Sequence, residues 1–598
     1  MEVTGDQRNR PPEAGQCRAR LTVLYGSQTG TAEDLAQRIG REARRRLFEC
    51  EVCALDELRP AALLDERLAL FVVATTGQGD VPDNMAVTWR QLLRRDLPAD
   101  SLRALRFGVI ALGDSSYAKF NYVGKRLQKR LLQLGAAPLQ PPALGDDQHD
   151  LGADAAVDPW LGDWWDKLDA LWPLPDGWQL LPADRPPPAR HTVRYLEENG
   201  SERAVETPPL PSGRHFVAKV RSNRRLTPED HFQEVRLIGL DVSGADVTYR
   251  PGDVATVLPQ NLAEETEQLL ELLGWRPDQL VMVDGPRADL LPRPCSLRYL
   301  ATHVLDIHAV PRRSLFELLA YFTESELERE KLTELSSAVG QEERFDYCDR
   351  PRRTTLEVLQ DFWATARRLP LDLLLDMLPV IRERHFSIAS SPKVHGGELQ
   401  LLVAVVRYRS RLAAPRRGLC STWLSRLPVG HSVTVSVRPG TLRFPAEPDR
   451  PVVMIGPGTG VAPFRSYIAE ETAETDRPRP LCLFFGCRNQ TADLFFGDEW
   501  QRLEDDNKLQ LFCAFSRDQE NKIYVQDRIR EQAALVWRLV HAEGATICVA
   551  GSAKRMPEDV AAALQQVFAE QGDMSAEEAE CYRHQLERQG RYQTETWS

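Results

Sequence analysis

From residue 21 to residue 172, short apolar runs alternate with amphipathic segments. LTVLYGS (21–27), LALFVVATT (68–76) and FGVIALGD (107–114) have the length and unbroken hydrophobicity of strands buried on both faces, and KFNYVGKRLQKRLLQL (119–134) repeats its apolar positions at helical spacing. The pattern predicts a doubly wound α/β domain. Pro173, Pro175, Pro182, Pro186, Pro187, Pro188, Pro208, Pro209 and Pro211 then predict a stiff, extended linker over 173–212. Beyond it the period changes to two in HFVAKV (215–220), FQEVRLIG (232–239), LQLLVAVVRYR (399–409) and SVTVSVR (432–438), which predicts an antiparallel β-barrel. Residues 262–378 are Leu-rich with helical periodicity and read as an all-α insertion. From 451 onward VVMIG, LCLFFG, LQLFCAF and TICVAG restore strand-then-helix spacing, so a second open parallel sheet is expected. The chain therefore divides into a polar tail (1–20), an α/β domain (21–172), the linker, a barrel domain with its insertion (213–445) and a second α/β domain (446–598).

Length supports several cores, because 598 residues exceed what one core holds at about 100–200 residues per domain. A net charge of −12 excludes a general nucleic-acid binder and suits a partner with a basic patch. No apolar run reaches the roughly 18 residues of a membrane helix, and the first twenty residues lack the apolar core of a signal peptide. The reading is of a cytoplasmic monomer that binds neither membrane nor nucleic acid. Eleven cysteines, an odd number spread through a long chain, predict reduced thiols. Cys50 and Cys53 form a C-x-x-C without a second Cys or His pair, so they read as strand residues and no metal site is expected.

Three loops follow three candidate strands, where an open α/β sheet holds its ligand. Ser27-Gln28-Thr29-Gly30-Thr31-Ala32 offers hydroxyls, backbone N–H groups and a helix start to a phosphomonoester. Ala74-Thr75-Thr76-Gly77 is the second. The third, Leu112-Gly113-Asp114-Ser115-Ser116-Tyr117-Ala118-Lys119-Phe120-Asn121, brings an aromatic, Tyr117, that can stack on a planar ligand. Residues 145–170 carry eight Asp against one Lys, beside Trp160, Trp164 and Trp165. That stretch is either a solvated helix face over core tryptophans or a docking surface for a basic acceptor.

In the barrel region, Arg384-His385-Phe386-Ser387 combines a cation for pyrophosphate, an aromatic for stacking and a hydroxyl for a reacting ring nitrogen. Gly418-Leu419-Cys420-Ser421 opens a helix about thirty residues later, a second anion cradle. Gly456-Pro457-Gly458-Thr459-Gly460-Val461-Ala462-Pro463-Phe464-Arg465 sets bare backbone at a helix start, as a pyrophosphate requires. Ser516, Arg517, Lys522, Ile523, Tyr524, Val525 and Gln526 follow the next strand; Arg517 and Lys522 suit the 2′-phosphate of NADPH, and Tyr524 can stack on adenine.

The first three loops together resemble the FMN site of the flavodoxin family, in which the third-loop aromatic covers the flavin ring; many members carry an aromatic at the position of Thr76. Asp147 matches a further FMN position. The barrel motifs resemble the FAD-binding domain of the ferredoxin–NADP reductase family, as does the RYQTETWS ending, and the resemblance assigns to Trp597 the cover over the FAD ring. Glu595 stands where relatives often have Asp beside the nicotinamide, and Ala550 where the microsomal relative has Cys. In this order the domains resemble the diflavin reductase family over about 21–598, which implies FAD and FMN as cofactors, NADPH as donor, Arg350 as an FAD contact and Asp559 as a nucleotide contact. By the same resemblance Ser387 and Glu595 support hydride transfer and Trp597 moves aside for the nicotinamide. GDSSYAKFN, PRRGLC and QTETW point to the compact soluble branch and imply an anamorsin-type iron–sulfur protein as acceptor in cytosolic iron–sulfur assembly. A reductase for haem mono-oxygenases and a flavin-free scaffold are the competing expectations.

Overall fold

The computed structural model describes residues 17–597 apart from 77–78, 118, 183, 198–214, 246, 287, 448 and 475–478. In chain order its first strands are Arg20–Gly26 (β1), Glu49–Ala54 (β2), Leu68–Ala74 (β3), Arg106–Gly113 (β4), Ala137–Pro138 (β5), Ala143–Asp146 (β6) and Thr192–Tyr195 (β7). Then come Phe216–Arg225 (β8), Val235–Asp241 (β9), Val254–Val257 (β10), Leu280–Asp284 (β11), Cys295–Ser296 (β12), Arg384–Ser387 (β13), Glu398–Ala404 (β14), Arg407–Tyr408 (β15), Arg416–Arg417 (β16) and Ser432–Arg438 (β17). Val452–Ile455 (β18), Leu481–Cys487 (β19), Gln510–Phe515 (β20), Thr546–Ser552 (β21) and Tyr592–Trp597 (β22) complete the series. The chain clusters into two units, one of residues 1–198, 269–288 and 307–379, the other of 199–268, 289–306 and 380–598.

The first unit is built on a parallel sheet of order β2-β1-β3-β4-β5, with β6 also beside β4. Its central strands are apolar throughout because helices cover both faces; six of the seven residues of β3 are buried. In helix Thr31–Arg45 the buried Ala32, Leu35, Ala36, Ile39, Gly40 and Ala43 recur at helical spacing, with Glu33 and Asp34 in the first turn and Arg44 and Arg45 in the last, complementing the helix dipole. The insertion contributes helices Arg313–Leu319, Glu326–Ser336, Thr355–Asp361 and Leu371–Met377; Thr354 and Glu357 cap the third reciprocally.

Two expectations need correction here. The insertion is not helical throughout, because β11 lies inside it. The linker is not merely an extended spacer, since its β7 pairs antiparallel with β11 from Tyr195↔Val281 to Thr192↔Asp284. LVMV is a short apolar run within a Leu-rich stretch, too brief for a strand period to be read, and only its partner strand makes it visible.

The second unit holds an antiparallel sheet of order β13-β10-β17-β8-β9-β14. Ile388, just past β13, bridges Leu401 on β14 and so links the first strand of that order to the last. Helix Leu419–Arg426 drives Trp423 and Leu424 into the core of this sheet. A parallel sheet of order β20-β19-β18-β21-β22 follows, again apolar on both faces. Its last strand, β22, is the ending YQTETW, unrecognised as a strand from sequence because it lies at the sheet edge with polar residues between its apolar ones. Among the described residues no helix is long and apolar enough to cross a membrane.

Candidate functional site

In the first unit the expected loops gather at the carboxyl ends of β1, β3 and β4. Thr75 N donates to Leu112 O at 2.9 Å, tying the second loop to the third, and Asp147 N donates to Gly113 O at 2.9 Å, adding the segment after β6. Gly30 takes φ 92°, a left-handed conformation that glycine adopts without a Cβ clash, and its N–H donates to Ser27 Oγ at 2.9 Å. Gln28, Thr29 and Thr31 are exposed around this turn, whereas the Ala32 side chain is buried in the core. The loop therefore presents hydroxyls and backbone N–H groups at a helix start, which fits a phosphomonoester. The Tyr117 ring is 55 % exposed and lies in the third loop, the position a stacking aromatic needs.

Within that loop Asp114 Oδ1 accepts from Ser116 N at 2.8 Å and Ser116 Oγ at 2.6 Å, and Asp146 Oδ1 accepts from Ser115 N at 2.9 Å. Partial burial, then Asp114 and Asp146, push the Asp147 carboxyl above its ordinary range. Thr76 closes a small turn by donating from Oγ1 to Asp80 O at 3.0 Å. Lys119 and Phe120 flank the exposed end; Lys119 Nζ lies 5.8 Å from the Tyr122 ring centroid. Asn121 is fully buried and donates from Nδ2 to Gly145 O at 3.0 Å, so it braces the loop. The side chains of Ala74 and Leu112 also lie inward, half-buried and buried. Gly77 and Ala118 lie outside the described residues.

Sequence reading missed two supports of the first loop. Asn84 Oδ1 accepts from Ser27 N at 2.8 Å, and Asp83 exchanges two bonds with Gln28, at 2.9 and 3.0 Å. Pro82-Asp83-Asn84 is a turn signature that could have pointed there. Arg312, from the insertion, donates to Thr29 O, a contact across 283 positions that no local pattern announces.

Three of the eight aspartates of the acidic stretch are paired within this unit. Asp154 and Asp158 pair with Arg38 and Arg313, and Asp169 with Arg18 and Arg46. Trp164 and Trp165 are core residues, and Trp160 stacks on Trp164 at 5.3 Å. Cys50 and Cys53 lie on β2, where burial pushes both thiols up to about 12, so neither is a thiolate at neutral pH. Arg350 also belongs to this unit; it pairs with Asp346, and its guanidinium lies 5.1 Å from the Phe345 ring centroid.

In the second unit, β13 carries Arg384 and His385 exposed and Phe386 and Ser387 half-buried. Ser387 Oγ donates to Glu595 Oε1 at 2.7 Å, joining two candidates 208 positions apart. On β22, Glu595 is in register with Ala550, and Trp597, 38 % exposed, with Ser552. Gly418 precedes helix Leu419–Arg426, but Leu419, Cys420 and Ser421 are buried, and Ser421 Oγ accepts from Val406 N at 3.0 Å. That helix start can meet a ligand chiefly through backbone.

The loop after β18 leaves no room for a side chain at Gly456 or Gly460. A Cβ on Gly460 would stand 2.1 Å from the Ala550 carbonyl oxygen, and one on Gly456 2.8 Å from Gly460 O, so backbone packs on backbone beside Thr459, as close approach to a pyrophosphate demands. After β20, Ser516 is half-buried, Arg517 and Lys522 are exposed, and neither cation makes an ion pair among the described residues. Tyr524 is 44 % exposed. Ile523 is half-buried against the core and Val525 is buried in it, while Gln526 and Asp559 are half-buried.

Comparison with known proteins finds three family domains along the chain. The flavodoxin family profile matches residues 23–160, the FAD binding domain 208–423 and the oxidoreductase NAD-binding domain 454–562. The NADPH-dependent diflavin oxidoreductase 1 of Mus musculus is 49% identical over 597 residues, 97% of this chain and 99% of that protein. This chain belongs to the NADPH-dependent diflavin oxidoreductase family. The protein of the same name from Danio rerio is 48% identical over 97% of the chain and 99% of its own length, and that of Emericella nidulans 37% over 96% of each. Members of this family use FAD, FMN and NADPH, and the chain is an oxidoreductase of that kind.

Proposed function

We propose that this diflavin oxidoreductase delivers its electrons, one at a time, to an anamorsin-type iron–sulfur protein of cytosolic cluster assembly. FAD supplies a two-electron acceptor for hydride, and FMN a carrier that gives electrons up singly. In this reading the first three loops and Asp147 hold FMN. Arg384, His385, Phe386, the Gly418–Ser421 backbone and Trp597 hold FAD. Thr459, Ser516, Arg517, Lys522, Tyr524, Gln526, Asp559 and the backbone of Ile523 and Val525 hold NADPH.

The observation that carries the site assignment is the bond from Ser387 to Glu595. With its proton committed to the carboxylate, Ser387 Oγ keeps its lone pairs to accept from a ring N–H. Trp597, two residues beyond Glu595, is the cover that the nicotinamide displaces. The acceptor rests on the resemblance to the soluble branch of the family and on the acidic surface left at Asp150, Asp163 and Asp166, all exposed. Anaerobic reduction of an anamorsin-type protein should exceed that of a haem protein by about tenfold or more in kcat/KM, a difference of about 1.4 kcal/mol. Preference for the haem protein would overturn the assignment.

A further inference from the structure

Glu595 is held at both carboxylate oxygens. Ser387 takes Oε1, while Oε2 accepts twice from Thr441, from its backbone N at 3.1 Å and its Oγ1 at 3.0 Å. Thr441 lies in the turn after β17, and that turn is pressed against its surroundings. A Cβ on the preceding Gly440 would stand 1.9 Å from Gly252 O and 3.0 Å from Glu595 Oε2. A glutamate has one more rotatable bond than an aspartate, so its carboxylate needs a second anchor to stay in one orientation.

We propose that Thr441 is a positioning residue for hydride transfer. By occupying Oε2 twice it turns Oε1 to Ser387, so that the serine hydroxyl keeps donating to the carboxylate and the serine lone pairs remain available. This rests on the roles given above to Ser387 and Glu595. Nothing in the local sequence VRPGTLRFP announces it, because the partner is 154 positions away.

The test uses the full holoenzyme. Rapid-mixing measurement of FAD reduction at saturating NADPH should show Thr441→Val slower by about fivefold, the equivalent of about 1 kcal/mol, with the NADPH dependence unchanged within about twofold. Thr441→Ser, which keeps the hydroxyl, should restore the rate. Added to Glu595→Ala, Thr441→Val should slow the reaction no further. FAD content and thermal midpoint are measured on every variant, and Thr441→Ala takes the place of Val if Val misfolds. A normal rate in Thr441→Val, equal loss in Val and Ser, or additivity with Glu595→Ala would overturn the proposal. Were Glu595→Ala itself to react at the normal rate, the role of Glu595 would be at fault; slowing by Glu595→Ala with none from Thr441→Val would reject the positioning role alone.

Discussion

The loop after β1 and the loop after β18 both carry the chain from the carboxyl end of a parallel strand into a helix, yet they are made from different residues. The first is dressed with hydroxyls, with one glycine at a left-handed position and supports from Asn84, Asp83 and Arg312. The second is bare, with Gly456 and Gly460 where a Cβ would strike backbone. In the proposed function the same geometry serves two anions. A terminal phosphate can be met by side-chain donors reaching out, whereas a pyrophosphate lying along a helix start requires the backbone itself to come close.

Placing one methyl group in each loop separates the two designs most sharply. Gly460→Ala is expected to reduce NADPH-driven flavin reduction by more than about 100-fold, or about 2.7 kcal/mol, because the facing Ala550 carbonyl cannot retreat, while FMN stays bound. Gly30→Ala should cost only the left-handed strain of roughly 1–2 kcal/mol and weaken FMN by about tenfold. Similar losses at both positions, read as flavin content and reduction rate, would erase the distinction.

Next in size is the charge on the nucleotide side. Arg517→Ala should raise the NADPH Michaelis constant about tenfold, from one charge-assisted contact of about 1.5–3 kcal/mol before solvent screening, with NADH use scarcely altered. Equal loss with both coenzymes would mean that Arg517 holds the loop and not the phosphate.

The smallest effect belongs to the hydroxyl-lined site, where charge is crowded on the protein side. Asp147 is raised by burial and by Asp114 and Asp146, so its ionisation opposes folding. Its contribution falls as pH rises from the unfolded carboxylate value near 3.9, about the ordinary one for Asp, through the raised folded value. Asp147→Asn should therefore raise the melting temperature slightly at pH 7 and not at all at pH 3. A gain that persists at pH 3 would assign the effect to something other than charge.

What the sequence makes legible follows from how local each feature is. β1, β3 and β4 announce themselves because strands buried on both faces must be apolar throughout, and GPGTG is written in consecutive residues. β22 alternates Tyr, Thr and Thr with polar neighbours at an edge, and β11 is five residues inside a Leu-rich stretch, so both need their partners to be seen. Asn121 sits in the flavin loop by sequence yet braces it from within. The aspartates at 154, 158 and 169 read as free charge because Arg18, Arg38, Arg46 and Arg313 are distant in the chain. Thr441 was illegible for the same reason.

The account stands on one protein carrying two different flavins behind these two kinds of loop. Denaturing the purified full-length holoprotein and quantifying the released flavins separately measures this directly. About one FMN and one FAD per chain are expected, one for each phosphate-binding design. FAD without FMN, or protein that carries neither after purification and reconstitution, would contradict it.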